Sequence, residues 1–225
     1  MSSFDDIKIE LDNLKNDFSD IQADELFEYL SLKFLFLDGD LTQTDIRNYY
    51  TGGPNDGGID VLYADDEDAI NIVQAKYSHS DGESLSKGTV MDELRQMHAT
   101  VMKIKADRTE DYNIDLVRIG RREIAETEKT IKFFIVSNRS INDIEGIRQE
   151  FDSDAFNEIS ELEIYDASTL ANKINEVNGI SKFVKEGQIH IYKEHEYISY
   201  GEDGIVVNLK SSSLKNLHSD FSDEG

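Results

Sequence analysis

A glycine-rich segment at residues 52–58, Gly-Gly-Pro-Asn-Asp-Gly-Gly, is the strongest interruption of regular structure in this 225-residue chain. Glycine readily adopts positive φ angles and proline cannot continue a helix, so a loop must open at this point. The two stretches that follow, 59–64 and 69–77, are rich in β-branched and aromatic residues. They predict a β-hairpin whose turn is the acidic segment 65–68.

The rest of the chain alternates helical and β patterns of apolar residues. The predicted helices are 4–18, 22–37, 83–106, 113–128, 140–151 and 167–177, and the predicted strands after the hairpin are 131–136, 162–165, 188–200 and 204–209. Strands separated by helical crossovers predict an α/β fold with a mixed β-sheet that carries helices on its faces. We divide the chain into an N-terminal helix at 1–20, a core at 21–178 and a small C-terminal α/β extension at 179–225, whose last residues, 219–225, look unstructured.

Composition narrows the chemistry that is open to this chain. The absence of cysteine excludes disulfides, thiolate catalysis and cysteine zinc sites, so the metal ligands that remain are His, Asp, Glu and backbone oxygens. The first residues lack a basic segment followed by an apolar run, and no stretch approaches the roughly 18 apolar residues that span a bilayer. We therefore expect a cytoplasmic protein that does not associate with a membrane, and we expect any metal that it binds to be a hard cation.

The hairpin brings three chemically useful side chains within reach of one another. Gln74 and Lys76 are two positions apart, so a strand points both to one face. If the turn holds three residues, the numbers of cross-strand partners sum to 134 and Asp60 lies opposite Gln74; a two-residue turn shifts this pairing by one. A carboxylate, an amide oxygen and waters form the all-oxygen kind of site that suits Mg²⁺ or Mn²⁺.

Such a metal could bind a phosphodiester. It would polarise the phosphoryl oxygen, while the Lys76 ammonium would position the attacking water or offset charge that develops in the transition state. Glu28 is the candidate for a second carboxylate. It lies in the most apolar helix, where an unpaired charge is costly and a metal or lysine partner would explain it.

Each of these residues also has a simpler interpretation. Asp60 could cap the turn after the glycines, and Asp56 is a turn residue more readily than a ligand. Lys76 could be a charge that protects an edge strand from aggregation. Glu28 could be an ordinary solvated helix residue.

Together, Asp60 and the tripeptide Gln74-Ala75-Lys76 resemble the motif of the PD-(D/E)XK nuclease superfamily, which has the restriction-endonuclease-like fold. Asp60 stands for the first motif aspartate, and the tripeptide stands for (D/E)-X-K. The glutamine variant, with Phe27-Glu28 on a preceding helix, is similar to the Mrr-like branch of restriction enzymes.

A closer resemblance is to the N-terminal part of the AIPR abortive phage infection proteins. It is carried by Asp-Gly-Gly-Ile-Asp at 56–60 and Ile-Val-Gln-Ala-Lys-Tyr at 72–77. It covers about residues 20–137, and the segment 204–218 looks like the start of the family's following region. Typical members continue further, so a chain ending at Gly225 is expected to be a fragment, a natural short form or an engineered piece.

This resemblance implies a restriction-endonuclease-like core at 21–178 that cleaves DNA in defence against phage. It implies Asp60, Gln74 and Lys76 as catalytic or metal-binding residues, together with Glu28, and Mg²⁺ or Mn²⁺ as the metal. Gln74 in place of the acidic motif residue leaves fewer negative ligands, which predicts either weak metal binding or loss of activity.

Charge distribution bears on the partner of such a site. The formal net charge of −24 opposes binding to DNA, whose affinity for proteins comes from neutralised phosphates, although bound cations can reverse the local field. Arg118, Arg121 and Arg122 fall on one predicted helix at spacings of three and four, where they could contact phosphates. They could equally pair with Glu126 and neighbouring acids.

Three hypotheses follow for the function. The first is an Mg²⁺-dependent endonuclease that cuts duplex DNA, for which a homodimer would place two symmetric sites on the two strands. The second is a catalytically inactive binding or regulatory protein on a nuclease scaffold, whose acidity docks a basic protein partner. The third is an RNA-cutting nuclease, since no base-reading module is visible.

Overall fold

The structure, a computed structural model, describes residues 3–64, 69–80, 84–125, 129–153, 160–179, 197–200 and 204–207. It divides into two compact units, Met1–Ile180 and Ser181–Gly225. The predicted turn at 65–68, the strand residues 188–196 and the C-terminal residues 208–225 lie outside the described residues.

The first unit contains seven helices and four strands among its described residues. The helices are α1 (Ser3–Asp17), α2 (Ala23–Phe36), α3 (Gln43–Tyr49), α4 (Lys87–Lys105), α5 (Ile114–Glu123), α6 (Ile144–Ser153) and α7 (Ala167–Val177). The strands are β1 (Val61–Ala64), β2 (Ala69–Lys76), β3 (Thr130–Ser137) and β4 (Ser160–Tyr165). In the second unit, β5 (Tyr197–Tyr200) and β6 (Gly204–Val207) form an antiparallel pair.

The four strands of the first unit form one mixed sheet in the order β1-β2-β3-β4. The β1–β2 pair is antiparallel, and the β2–β3 and β3–β4 pairs are parallel. Helices cover both faces, so β2 and β3 are nearly continuous runs of buried apolar residues. The predicted α/β fold with a mixed sheet flanked by helices is confirmed.

Alternation along β2 divides the core into two layers. Ile70 and Ile72 belong to the apolar cluster that includes α4, α5 and α6. Val73 and Ala75 belong to the cluster that includes α1, α2 and α7. Along β2, even-numbered residues therefore face α4, and odd-numbered residues face α2.

Helix α3 was not predicted, because the sequence pattern assigned no element between residues 37 and 52. It begins after Thr42, whose side chain accepts a hydrogen bond from the Asp45 amide while the Asp45 carboxylate accepts one from the Thr42 amide. None of its residues is fully buried, so hydrophobic periodicity gave no signal. Helix α5 ends at Glu123, earlier than the predicted residue 128, and residues 126–128 lie outside the described chain.

No helix in the described parts of the chain is both long enough and apolar enough to cross a membrane.

Candidate active site at the end of the hairpin

Asp60 and Gln74 are in direct contact across the hairpin. The strands pair as Val61 with Val73 and Leu62 with Ile72, which is the register predicted for a three-residue turn. The Asp60 carboxylate oxygen Oδ2 accepts hydrogen bonds from Gln74 Nε2 at 2.5 Å and from the Ala75 amide at 2.6 Å. Because this side chain is only 2% exposed and reaches across to β2, it does more than cap the preceding turn.

The backbone around Asp60 is fixed by the segment before the glycine-rich loop. The amides of Thr51 and Gly52 both donate to the Asp60 carbonyl, at 2.9 and 3.1 Å. The Thr51 hydroxyl donates to the Ile59 carbonyl at 2.6 Å, and Asn113 at the start of α5 donates to the Thr51 carbonyl at 2.9 Å. These bonds position the Asp60 carboxyl independently of any ligand.

Two glycines allow α4 to approach this loop closely. Gly57 and Gly58 have φ angles of +66° and +78°, a region that favours glycine. A Cβ at position 57 would lie 2.6 Å from the hydroxyl oxygen of Thr100, which instead donates a 2.7 Å hydrogen bond to the Gly57 carbonyl. A Cβ at position 58 would lie 3.2 Å from both Gln74 Oε1 and Gln96. The loop is therefore packed against α4 on one side and against the Gln74 amide on the other.

Asp56 adopts the role of a turn residue. Its Oδ1 accepts a 2.7 Å hydrogen bond from the Gly58 amide, as in an Asx turn. Burial raises the pKa of its carboxyl, while the Gly58 amide and the charge of Lys76 lower it.

Lys76 lies at the end of β2 on the α4 side of the sheet, like Gln74. Its Nζ forms an ion pair of 2.8 Å with Oε1 of Glu93 on α4, and the two side chains are 29% and 20% exposed. β2 is paired with β3 up to Lys76, which lies opposite Ser137, whereas its pairing with β1 covers residues 70–73 only, so the interpretation of Lys76 as a charge that protects a strand edge stays a prediction.

Glu28 approaches the site from α2, which packs on the opposite face of the sheet. Its Oε2 is buried, and no donor among the described residues makes a hydrogen bond of normal geometry to it. A Cβ at position 52 would lie 2.5 Å from this oxygen and 2.7 Å from the Tyr50 hydroxyl, so Gly52 is what leaves room for both. Burial raises the pKa of Glu28 to about 7, against the lowering effect of the Tyr50 hydroxyl. Glu28 is thus not an ordinary solvated residue.

The carboxyls of Glu28, Asp56 and Asp60 act on one another electrostatically. Burial raises the pKa of Asp60 well above its ordinary value, and the charges of Glu28 and Asp56 raise it further. The Ala75 amide and the Lys76 ammonium oppose this rise. Crowded, partly desolvated carboxyls of this kind favour a proton or a cation, and such perturbed groups concentrate at functional sites.

The described residues contain no group of three or more His, Asp or Glu side chains arranged to hold a metal ion. A metal here would therefore depend on the Gln74 amide and on water for part of its coordination, as is common for Mg²⁺.

The three predicted phosphate-binding arginines lie on α5, and each makes local contacts. Arg118 also donates to the Arg47 carbonyl at 2.7 Å, and Arg122 donates to the Asn48 carbonyl at 3.1 Å, so both tie α5 to α3. Their ion pairs are Arg118 with Asp115, Arg121 with Asp107 and Arg122 with Glu123. The side chains remain 42–54% exposed, and their contact with phosphates stays a prediction.

Sequence reasoning missed Glu93, Thr100 and Tyr50 as neighbours of the site. The spacing of Glu93, Gln96 and Thr100 could have indicated two of these neighbours. The three residues are three and four positions apart, which places them along one side of helix α4. Tyr50 gave no such signal, because its contact with Glu28 depends on how α2 packs.

A scan of protein-family models, a search of curated proteins and a search of solved structures each found no match to this chain.

Proposed function

We propose that this chain is a divalent-metal-dependent endonuclease that hydrolyses DNA phosphodiester bonds, with a restriction-endonuclease-like fold and a role in defence against phage. The observation that carries the proposal is the buried Asp60 carboxyl, which is hydrogen-bonded to Gln74 and lies within electrostatic range of both Glu28 and Lys76. This is the set of residues on which the resemblance to PD-(D/E)XK nucleases rests.

We infer that the residues present would accept a hard divalent cation. Burial raises the pKa of Glu28 in spite of the neighbouring Tyr50 hydroxyl, and burial and neighbouring acids raise the pKa of Asp60. Both features would be relieved by a cation, and the carboxylate and amide oxygens of Asp60, Glu28 and Gln74 are ligands that Mg²⁺ and Mn²⁺ accept. When bound, such an ion would polarise a phosphoryl oxygen and promote formation of hydroxide from water.

The chain's own groups supply position and charge. The Asp60 carboxyl is held in one orientation by the Ala75 amide and Gln74. The Lys76 ammonium, on the same side of the sheet as Gln74, would orient the attacking water or offset the negative charge that develops on the phosphate oxygens. Preorganised charge of this kind acts without reorganisation during the reaction.

The net charge of −24 sets the conditions under which DNA would bind. Repulsion between the chain and the phosphates is screened by salt, whereas favourable contacts with Arg118, Arg121 and Arg122 weaken as salt rises. Divalent cations would neutralise the carboxyls of the site itself. A homodimer would present two such sites to a duplex.

Plasmid cleavage at low salt with Mg²⁺ or Mn²⁺, run beside cleavage of a single-stranded RNA, tests the proposal. Asp60→Asn and Lys76→Met are each expected to lower the cleavage rate by about 100-fold or more, because each removes a group that acts on the reacting phosphate. The controls are Asp92→Asn and Lys8→Met, which remove the same charges at exposed positions and should cleave like the intact chain.

Metal binding gives a second measurement. Mg²⁺ or Mn²⁺ at about ten times its dissociation constant is expected to stabilise the fold by about 1.4 kcal/mol, and Asp60→Asn should abolish this effect. If the intact chain leaves DNA and RNA uncut and calorimetry finds no metal binding that depends on Asp60, the enzyme proposal fails. A search for a basic protein partner would then be the next step.

A further inference from the structure

The ion pair between Lys76 and Glu93 was not part of the predicted site, although Lys76 is one of the central residues of that site. We propose that Glu93 is a positioning residue, which holds the Lys76 ammonium on the Asp60 side of the sheet so that it is in place when a phosphodiester binds. This inference rests on the nuclease function proposed above.

Glu93 is anchored far more firmly than Lys76. It lies on α4, where Val90, Leu94 and Met97 are at most 1% exposed and fix the helix on the sheet. Lysine, in contrast, carries its charge on a flexible four-carbon stem with many rotamers. The 2.8 Å pair is partly buried on both sides, so the carboxylate restricts where the Nζ of Lys76 can go.

The direction of this restriction is towards the reacting groups. The Lys76 charge acts on both Asp60 and Asp56, and the Glu93 charge acts on Asp56 as well. The 2.8 Å ion pair therefore holds the ammonium beside α4, within electrostatic range of the loop that carries the two aspartates. Without Glu93, the side chain at this strand end would be free to extend into solvent.

Helix α4 also holds that loop through the residues that follow Glu93 on the same side. Gln96 packs over Gly58, and Thr100 donates to the Gly57 carbonyl at 2.7 Å. One helix face thus determines the position of the Asp60 loop and of the Lys76 ammonium together. A displacement of about 1 Å in such a group is enough to lower a rate by about 100-fold.

Steady-state cleavage kinetics test the proposal. Glu93→Ala is expected to lower kcat by about tenfold or more, and Glu93→Gln, which keeps an oxygen that can accept from Nζ, should retain most of the rate. KM should match that of Asp92→Asn, which removes the same charge from the neighbouring position of α4. In a Lys76→Met background, Glu93→Ala should have no further effect, because a positioning residue acts only through the group it positions.

A readout that does not need activity separates this inference from the nuclease proposal. The rate at which an amine-reactive acylating reagent modifies Lys76, measured by mass spectrometry with Lys8 as internal reference, should rise about two- to fivefold in Glu93→Ala, as loss of a partly exposed ion pair allows.

An unchanged rate of Lys76 acylation in Glu93→Ala would overturn the proposed role of Glu93. A Glu93→Ala variant that cuts faster than the intact chain would also overturn it, because Glu93 would then keep Lys76 away from the substrate. An equal loss of kcat in the Lys76→Met background would overturn it as well. Failure of the intact chain to cut any substrate would overturn the nuclease proposal, and the acylation rate would still decide whether Glu93 holds Lys76.

Discussion

Replacing Glu28 by glutamine is expected to remove the contribution that this carboxyl makes to the change in the free energy of unfolding between about pH 4.5 and 7. Burial raises the pKa of Glu28 from 4.5 to about 7, and the charges of Asp56, Glu25 and Asp24 contribute to the rise. The unfolded chain therefore releases the Glu28 proton near pH 4.5, whereas the folded chain keeps it until about pH 7. Over this window the folded state binds more protons, so the free energy of unfolding falls as the pH rises.

The magnitude follows from the width of that window. Each pH unit over which the two states differ by one proton changes the free energy of unfolding by about 1.4 kcal/mol. From 4.5 to about 7 the loss accumulates to about 3 kcal/mol, which is fully present above pH 7 and absent below 4.5. Glutamine has nearly the same shape but does not ionise, so Glu28→Gln should exceed the intact chain in stability at pH 8 by up to about 3 kcal/mol.

Urea denaturation followed by circular dichroism at pH 5, 6, 7 and 8, with a chelator present to remove divalent ions, measures this difference. Asp92→Asn is the control, because it removes an exposed carboxyl and should leave the pH dependence of the intact chain unchanged. Parallel pH curves for Glu28→Gln and the intact chain would refute the reasoning, since they would mean that Glu28 titrates alike in the folded and unfolded states. Addition of Mg²⁺ at pH 8 should narrow the gap, because a bound cation compensates the ionised carboxylate.

Two further predictions concern packing near the site. Gly52→Ala would place a methyl 2.5 Å from Glu28 Oε2 and is expected to lower the free energy of unfolding, measured in urea titrations, by about 1–3 kcal/mol. The control is Gly88→Ala in the first turn of α4, where the added methyl has its nearest neighbour at 3.8 Å. This substitution should raise the free energy of unfolding by up to about 1 kcal/mol, because alanine favours a helix over glycine. Equal effects of the two substitutions would contradict the close contact at position 52. The side chain of Asn138, which is 2% exposed, accepts a hydrogen bond from the Ser78 N–H at 2.8 Å and donates one to the Ser78 C=O at 2.7 Å. Asn138→Ala is therefore expected to lower the free energy of unfolding by about 2–3 kcal/mol. A loss below about 0.5 kcal/mol, less than one buried hydrogen bond contributes, would show that water replaces the amide.

The regular elements were largely readable from the sequence because they depend on local periodicity. The two-residue period of a strand correctly placed Gln74 and Lys76 on one face, and the three-residue turn gave the register in which Asp60 meets Gln74. Helix α3 shows the limit of this method. Its capping box, Thr42 with Asp45, is visible in the sequence, but a helix that buries no residue fully leaves no apolar pattern to detect.

The contacts that give the site its electrostatic character were decided by tertiary packing. Whether Glu28 faced solvent depended on how α2 turns against the sheet, and the structure directs its Oε2 to Gly52. The partner of Lys76 depended on α4 crossing above β2, which brings Glu93 within 2.8 Å. The same holds for the arginines of α5, whose carbonyl partners lie on α3.

Sequence alone thus determined which residue types face one another within the hairpin, because strand geometry repeats every two residues over a few neighbouring positions. Only the tertiary structure decided which charges lie beside Asp60, since the angle and depth at which helices pack on a sheet arise from side-chain interlocking across the whole core. The motif residues Asp60, Gln74 and Lys76 were therefore predictable together, whereas Glu93 and the orientation of Glu28 required the fold.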